Sequence, residues 1–175
     1  ESDDVFWQNM EYVASQLPDI PLGVYECPYP YKREISPYIL QKMVDSNRYQ
    51  FIKDTCCSLP KLKEKLEIIK NSDVMLFNAN AATLLESLKM GASGYSGVMA
   101  NFHPDLYSKL IASFNAGDSE KTEFFQNLVG FFSVVECQCY PVNAKYYLGL
   151  DGIKIGIDCR TRDKKELMES RKLEI

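Results

Sequence analysis

The sequence contains a single histidine, His103, no long apolar run and no excess of basic residues. No segment approaches the roughly 18 consecutive apolar residues of a membrane-spanning helix, and no signal peptide is recognisable. The formal net charge of −4 argues against nucleic acid or an anionic membrane as a partner. Because only one imidazole is available, we also expect no metal site.

The six cysteines do not suggest a disulfide framework, since adjacent Cys56 and Cys57 do not pair easily. They are typical of reduced thiols in a cytosol, and we expect a cytoplasmic protein. Cys137 and Cys139 are interpreted as two small apolar residues, although their spacing also suits a metal or redox clip. The Gly91–Gly94 segment lacks the strand–turn–helix context of a dinucleotide fingerprint, so we expect no cofactor.

Strand and helix signals alternate regularly up to Gly117. Apolar strands are predicted near residues 22–27, 49–54, 73–78 and 94–99, and each is followed by a helical pattern. Ser2 and Ser36 are predicted N-caps of the first two helices. Alternating units of roughly 20–30 residues imply an α/β fold with a parallel sheet. The remainder of the chain is predicted to be mostly helical.

Four strands do not close an eight-stranded (β/α) barrel, which needs about 250 residues. We therefore interpret the chain as part of a longer polypeptide, with an open sheet as the alternative. Four parallel strands also leave two sheet edges that a partner segment has to cover.

Lys53 ends the second predicted strand, and Tyr25 ends the first in the same way. Burying an ammonium is costly, so lysine is rare inside a sheet. Desolvation lowers the pKa of a buried lysine and yields the neutral amine that attacks carbonyl groups. A tyrosine on the neighbouring strand supplies the proton transfers that imine formation requires. The pair predicts Schiff-base chemistry, and a lysine that extends its ammonium into water is the structural alternative.

Three segments carry a family resemblance: Tyr25–Pro28 (Tyr-Glu-Cys-Pro), Phe51–Asp54 (Phe-Ile-Lys-Asp) and Gly94–Asn101 (Gly-Tyr-Ser-Gly-Val-Met-Ala-Asn). Their order and spacing resemble the dihydrodipicolinate synthase / N-acetylneuraminate lyase family of class I pyruvate aldolases. The resemblance implies the second half of a (β/α)8 TIM barrel, from helix 4 through helix 8. The barrel portion is expected over residues 1–117, and a C-terminal helical extension over residues 118–175.

The resemblance implies that Lys53 forms an imine with a 2-keto acid such as pyruvate and that Tyr25 moves the protons. The implied substrate contacts are Ser96, Gly97, Thr55, Asn78 and Asn80. The last three suit a polyhydroxy chain, which favours a 2-keto-3-deoxy sugar acid or a sialic-acid-like substrate. The alternative is 4-hydroxy-tetrahydrodipicolinate synthase, which condenses pyruvate with aspartate semialdehyde. A homodimer or homotetramer is implied as well.

The sequence departs from the family pattern at three points. Pro30 stands where the synthases have a carboxylate-binding arginine, and Lys32 or Arg33 is the candidate substitute. Glu26 replaces an asparagine, either as a carboxylate beside the tyrosine or as a solvent-facing or structurally paired group. The Gly-Thr-Thr-Gly loop that holds the pyruvate carboxylate is not supplied. A non-catalytic half-barrel that needs a partner segment is therefore a second alternative.

Other polar residues are interpreted as structural. The charged run Lys61–Lys65 is predicted to be a solvated helix face. His103, in a strand-to-helix loop, is assigned a structural role in preference to a catalytic one. Asn80 is expected to cap the helix that follows it.

Overall fold

Four parallel strands form one sheet in the order β1-β2-β3-β4. They are β1 (Leu22–Tyr25), β2 (Tyr49–Asp54), β3 (Met75–Asn78) and β4 (Gly94–Tyr95). The computed structural model describes residues 2–17 and 19–175, with the side chains of residues 136 and 137 also left undescribed. Each strand pairs with the next one along the chain, which confirms the predicted α/β alternation.

The helices occupy the segments before, between and after the strands. They are α1 (Asp3–Gln16), α2 (Pro37–Ser46), α3 (Leu59–Ile69), α4 (Leu84–Lys89), α5 (Pro104–Asn115), α6 (Ser119–Phe132), α7 (Val142–Leu150) and α8 (Glu169–Glu174), with 3-10 helices at Val98–Asn101, Ser133–Cys137 and Lys164–Glu166. None of the described helices combines the length and apolar character needed to cross a membrane.

Both predicted serine caps are confirmed. The Ser2 hydroxyl accepts a hydrogen bond from the N–H of Val5, and the Ser36 hydroxyl accepts one from the N–H of Ile39. Each bond satisfies one of the backbone donors that the first turn of a helix leaves unpaired. The chain direction into α1 and α2 is therefore fixed by local sequence.

The core lies where helices α1, α2 and α3 pack on the sheet. Ile52 of β2 and Leu76 of β3 are fully buried in it, together with Met43 of α2 and Leu62 of α3. Ile52 and Leu76 are register partners on adjacent strands, so their side chains project from the same face of the sheet. The opposite face carries Lys53.

The fourth strand is shorter than predicted. It ends at Tyr95, and the predicted residues Val98 and Met99 belong instead to the 3-10 helix. The side chain of Asn101 donates to the Val98 carbonyl at 3.0 Å, which closes this turn. The chain divides into two compact units, one ending at Ser96 and the other comprising Gly97–Ile175. The predicted division between residues 117 and 118 stays a prediction.

Candidate active site

Lys53 and Tyr25 lie side by side at the carboxyl ends of adjacent strands. They are direct register partners in the parallel pair β1–β2. The Lys53 Nζ atom lies 4.3 Å from the centroid of the Tyr25 ring. A cation–π contact of this kind is worth about 0.5–1 kcal/mol at a partly exposed site. Lys53 is half-buried, and the Tyr25 side chain is exposed, so both groups are accessible to a small solute.

Aromatic rings line the same face of the sheet beneath this pair. The Phe51 and Phe77 rings lie 5.1 Å apart, and Phe77 is the register partner of Lys53 on β3. On the other side of Phe51 stands Gly23, where an added Cβ would approach the Phe51 ring to 2.9 Å. Glycine therefore makes room for the ring. The Lys53 side chain therefore lies beside the Phe51 and Phe77 rings on an apolar part of this sheet face.

The opposite face of the same two strand ends carries a buried ion triad. Glu26 and Asp54 come directly after Tyr25 and Lys53, and Lys65 of α3 reaches between them. The exposed fractions are 1% for Glu26, 0% for Asp54 and 3% for Lys65. The Lys65 ammonium lies 2.6 Å from an Asp54 carboxylate oxygen and forms a short ion pair with Glu26.

Backbone groups satisfy the remaining oxygens of the two carboxylates. The Glu26 carboxylate accepts from the N–H of Ile35 at 2.7 Å and from the N–H of Thr55 at 2.9 Å. Asp54 accepts from the N–H of Cys56 at 3.0 Å. Buried charges persist only when they are paired and hydrogen-bonded in this way. The triad thus ties β1, β2, α3 and the loop before α2 together.

Burial and pairing shift the titration of these groups. Desolvation raises the pKa of Glu26, against the opposing attraction of Lys65. Desolvation acts to lower the pKa of Lys65, but the charges and hydrogen bonds of Glu26 and Asp54 outweigh it and the pKa is raised. Burial raises the pKa of the neighbouring Cys56 thiol to about 12.

The triad shows that the prediction for the Lys61–Lys65 run is wrong in part, and it distinguishes between the two interpretations of Glu26. The Lys61–Lys65 run is not a uniformly solvated face, because Lys61 and Lys63 are exposed whereas Lys65 is buried. Lys65 follows Leu62 by three residues and so falls on the apolar stripe of α3. Glu26 is a structurally paired group, the second of its two interpretations. The position of Lys65 in the apolar stripe was the signal that sequence reasoning missed.

Three predicted substrate contacts are engaged within the fold. The Thr55 hydroxyl donates to the Glu26 carbonyl at 2.7 Å. Asn78 is fully buried, and its amide donates to the hydroxyls of Thr83 at 3.0 Å and Ser87 at 3.1 Å. Asn80 accepts from the N–H of Thr83 at 3.1 Å in the turn before α4. Thr83 is the N-cap of α4, so the expected capping of that helix by Asn80 is wrong.

The two remaining predicted contacts follow β4. Ser96 is half-buried, and its N–H donates to the Asn78 carbonyl at 2.9 Å, next to the carboxyl end of β3. Gly97 has an extended backbone and precedes the 3-10 helix Val98–Asn101. Their role beside a substrate stays a prediction.

Lys32 and Arg33, the two candidate substitutes for the missing arginine, both form contacts within the fold. Arg33 pairs with Asp3 at 2.6 Å and stacks over the Phe6 ring at 4.3 Å. Lys32 donates to the Thr55 carbonyl at 2.7 Å and pairs with Glu34 at 3.3 Å. Of the two, Lys32 lies nearer to the Lys53 strand end.

His103 lies among aromatic rings, with the Tyr147 ring at 5.0 Å and the Phe132 ring at 5.2 Å. Burial there lowers its pKa. This packing fits the structural interpretation of His103. Across the described part of the chain, no three imidazole, thiol or carboxylate groups come close enough to ligate a metal ion.

Comparisons with known proteins agree with the predicted order of strands and helices. The model of the dihydrodipicolinate synthetase family matches residues 6–162. The chain belongs to this family. The 4-hydroxy-tetrahydrodipicolinate synthase of Methanococcoides burtonii is 23% identical over 139 residues, covering 79% of this chain and 48% of that protein. The synthase of Prochlorococcus marinus is 27% identical, with coverages of 82% and 48%. The chain thus spans about half the length of these curated relatives.

Solved family structures share the fold. The prophage protein YagE of E. coli K12, solved in complex with pyruvate, superposes with a TM-score of 0.87 at 20% identity, covering 99% of this chain and 59% of that one. Dihydrodipicolinate synthase of Thermotoga maritima gives a TM-score of 0.81 at 20% identity, with coverages of 95% and 59%. The four parallel strands and their helices are therefore a portion of the family's TIM barrel, and they fit its C-terminal part.

Proposed function

We propose that this member of the dihydrodipicolinate synthetase family is a class I aldolase or lyase that forms or cleaves a C–C bond to pyruvate through an imine on Lys53. The observation that carries the proposal is the pairing of Lys53 with Tyr25 at adjacent strand ends, with Nζ 4.3 Å from the ring centroid. Amine and phenol are the two groups that imine formation requires, and here they share one accessible face.

The reaction uses each group in a defined role. The Lys53 amine adds to the ketone carbon of pyruvate, and Tyr25 delivers a proton to the oxygen as it leaves as water. The resulting iminium withdraws electrons, so the methyl carbon returns a proton to the deprotonated Tyr25 oxygen and an enamine forms. The enamine carbon attacks an aldehyde, and hydrolysis of the imine regenerates the Lys53 amine. Cleavage is the same sequence reversed.

Two classes of aldehyde are candidates for the partner of pyruvate. The names of the curated relatives favour condensation of pyruvate with aspartate semialdehyde, the synthase alternative. The sugar-acid hypothesis relied on Thr55, Asn78 and Asn80, whose polar groups are engaged within the fold. We propose pyruvate as the common donor, and the panel of aldehydes to test includes both aspartate semialdehyde and sugar-derived aldehydes.

The test is covalent trapping. The chain is incubated with pyruvate and borohydride, and the intact mass and the modified peptide are determined. The proposal requires one reduced pyruvate adduct on Lys53. The Lys53→Arg variant, which keeps the charge but has no nucleophilic amine, is expected to give none. A wild-type chain without an adduct, or with its adduct on another lysine, would contradict the proposal.

A further inference from the structure

The triad of Glu26, Asp54 and Lys65 occupies a place that stability alone does not explain. Each carboxylate comes directly after one member of the reactive pair, Glu26 after Tyr25 and Asp54 after Lys53. The strand register continues through this point, because the N–H of Glu26 donates to the Lys53 carbonyl at 3.2 Å. Since successive residues of a strand alternate faces, the triad lies directly behind the amine and the phenol.

The triad joins the two strands through side chains as well as through the sheet. Lys65 bridges the carboxylates, at 2.6 Å from Asp54 and in a short ion pair with Glu26. The Glu26 carboxylate also accepts a hydrogen bond from the N–H of Thr55, the first residue after β2. The Thr55 hydroxyl in turn donates to the Glu26 carbonyl. The relative position of the two strand ends is therefore determined on the buried face.

We propose that Glu26, Asp54 and Lys65 are positioning residues for the Lys53–Tyr25 pair. By bridging the strand ends from behind, they hold the amine and the phenol at the separation that proton transfer during imine formation needs. This inference rests on the proposed function of Lys53. A misplacement of about 1 Å lowers the rate of a reaction of this kind by roughly 10²-fold, so small movements of either strand end matter.

A purely structural triad is the competing explanation, and it makes a different prediction. It would lower the fraction of folded chains and leave each folded chain fully reactive. In a trapping time course, chains that cannot refold lower the amplitude of the Lys53 adduct, and a reversible folding equilibrium lowers the rate constant only in proportion to the folded fraction. Lost positioning lowers the rate constant at saturating pyruvate beyond that proportion. The two explanations therefore separate in one experiment.

The first variant is Glu26→Gln, which removes the charge and keeps nearly the same shape. It leaves Lys65 and Asp54 as a neutral pair, so the fold has no uncompensated buried charge. Lys65 and Ile35 donate to one oxygen of the carboxylate and Thr55 donates to the other, so an amide NH₂ that faces Thr55 loses the Thr55 contact and keeps the other two. We expect the saturating rate constant for trapping to fall about 10–100-fold with the amplitude retained.

Glu64→Gln is the matched control, because Glu64 is an exposed carboxylate on the same helix as Lys65. It is expected to trap at the wild-type rate. A second variant, Asp54→Asn, tests the other arm of the bridge and is decisive if Glu26→Gln does not fold. Circular dichroism and urea unfolding establish the folded fraction of each protein before trapping.

The outcomes are distinct. A rate constant in Glu26→Gln or Asp54→Asn that falls beyond the proportion set by the folded fraction, at unchanged amplitude, supports the positioning role. Wild-type rate constants in both variants, once corrected for the folded fraction, overturn it while the Lys53 imine stands. A wild-type chain that forms no adduct overturns the proposed function, and the positioning role falls with it.

Discussion

Lys53 of β2 and Lys65 of α3 lie on opposite sides of the sheet and have contrasting surroundings. Lys65 is buried between Glu26 and Asp54, whereas Lys53 is half-buried over an aromatic ring. Lys65, to which we assign no role in bond formation, is therefore more deeply buried than Lys53. The comparison teaches that the partners of a buried amine decide its role: paired carboxylates hold Lys65 as an ammonium, and the accessible ring face leaves Lys53 open to a carbonyl compound.

The largest expected effect concerns Lys53 itself. Lys53→Ala removes covalent catalysis altogether, so we expect turnover with pyruvate to fall by several orders of magnitude. Lys63→Ala, an exposed lysine on α3, is the matched control and is expected to behave as wild type. Turnover is measured with the aldehyde panel and the imine by borohydride trapping. Near-normal turnover in Lys53→Ala would mean that the wrong lysine has been assigned.

Tyr25→Phe tests the second half of the pair and keeps the ring that packs on Lys53. Loss of the hydroxyl removes the proton donor, so we expect the rate to fall roughly 10²–10⁴-fold. Slow imine formation should persist, because the amine is untouched. Trapping measured at long incubation times checks this point. A Tyr25→Phe variant as fast as wild type would assign proton transfer to another group or to water.

Much of this arrangement is predictable from sequence because it is local or periodic. The serine caps of α1 and α2 depend on one side chain and the first turn, and both are found as predicted. The register that pairs Tyr25 with Lys53 follows from two similar strands in succession in a parallel sheet. Reactive residues at strand ends are thus accessible to sequence reasoning.

The buried triad is different, because it depends on residues that are distant in sequence. Lys65 meets Glu26, which is 39 residues away, and the local run of charges around it indicates solvent. Periodicity places position 65 on the apolar stripe of α3, but only the fold shows that the Glu26 and Asp54 carboxylates pair with the Lys65 ammonium there. The early end of β4 and the 3-10 helix Val98–Asn101 that follows it are likewise not indicated by strand propensity.

Lys65→Met sharpens the comparison on the stability side. It leaves two carboxylates buried without their cation, which typically costs about 3–5 kcal/mol in the free energy of unfolding. Lys63→Met, the same substitution on the exposed side of α3, should stay within about 0.5 kcal/mol of wild type. Urea unfolding at neutral pH measures both. If the two variants are equally stable, the triad does not carry its charges in the folded chain.

The smallest expected effect is a loss of stability at alkaline pH. Burial raises the pKa of Cys56 from 9.0 to about 12, so the unfolded chain releases this proton at lower pH than the folded chain. The unfolded state then binds fewer protons, and stability present below pH 9 is lost as pH rises toward 12. The raised pKa of Lys65 acts in the same direction, and its contribution grows as the pH approaches and passes its ordinary value of 10.5.

Between pH 9 and pH 10 the Cys56 thiol makes the largest contribution, and the Cys139 thiol, whose pKa is also raised from 9.0 by burial, acts in the same direction. We expect the free energy of unfolding to fall by about 1 kcal/mol per pH unit there, with a limiting slope of about 1.4 kcal/mol. Cys56→Ala should flatten this slope whatever its effect on stability at neutral pH, whereas Cys57→Ala, at an exposed neighbour, should keep it. Urea unfolding at half-unit pH steps gives the slopes. An unchanged slope in Cys56→Ala would place the alkaline sensitivity on another group and weaken the description of this face as the one that excludes water.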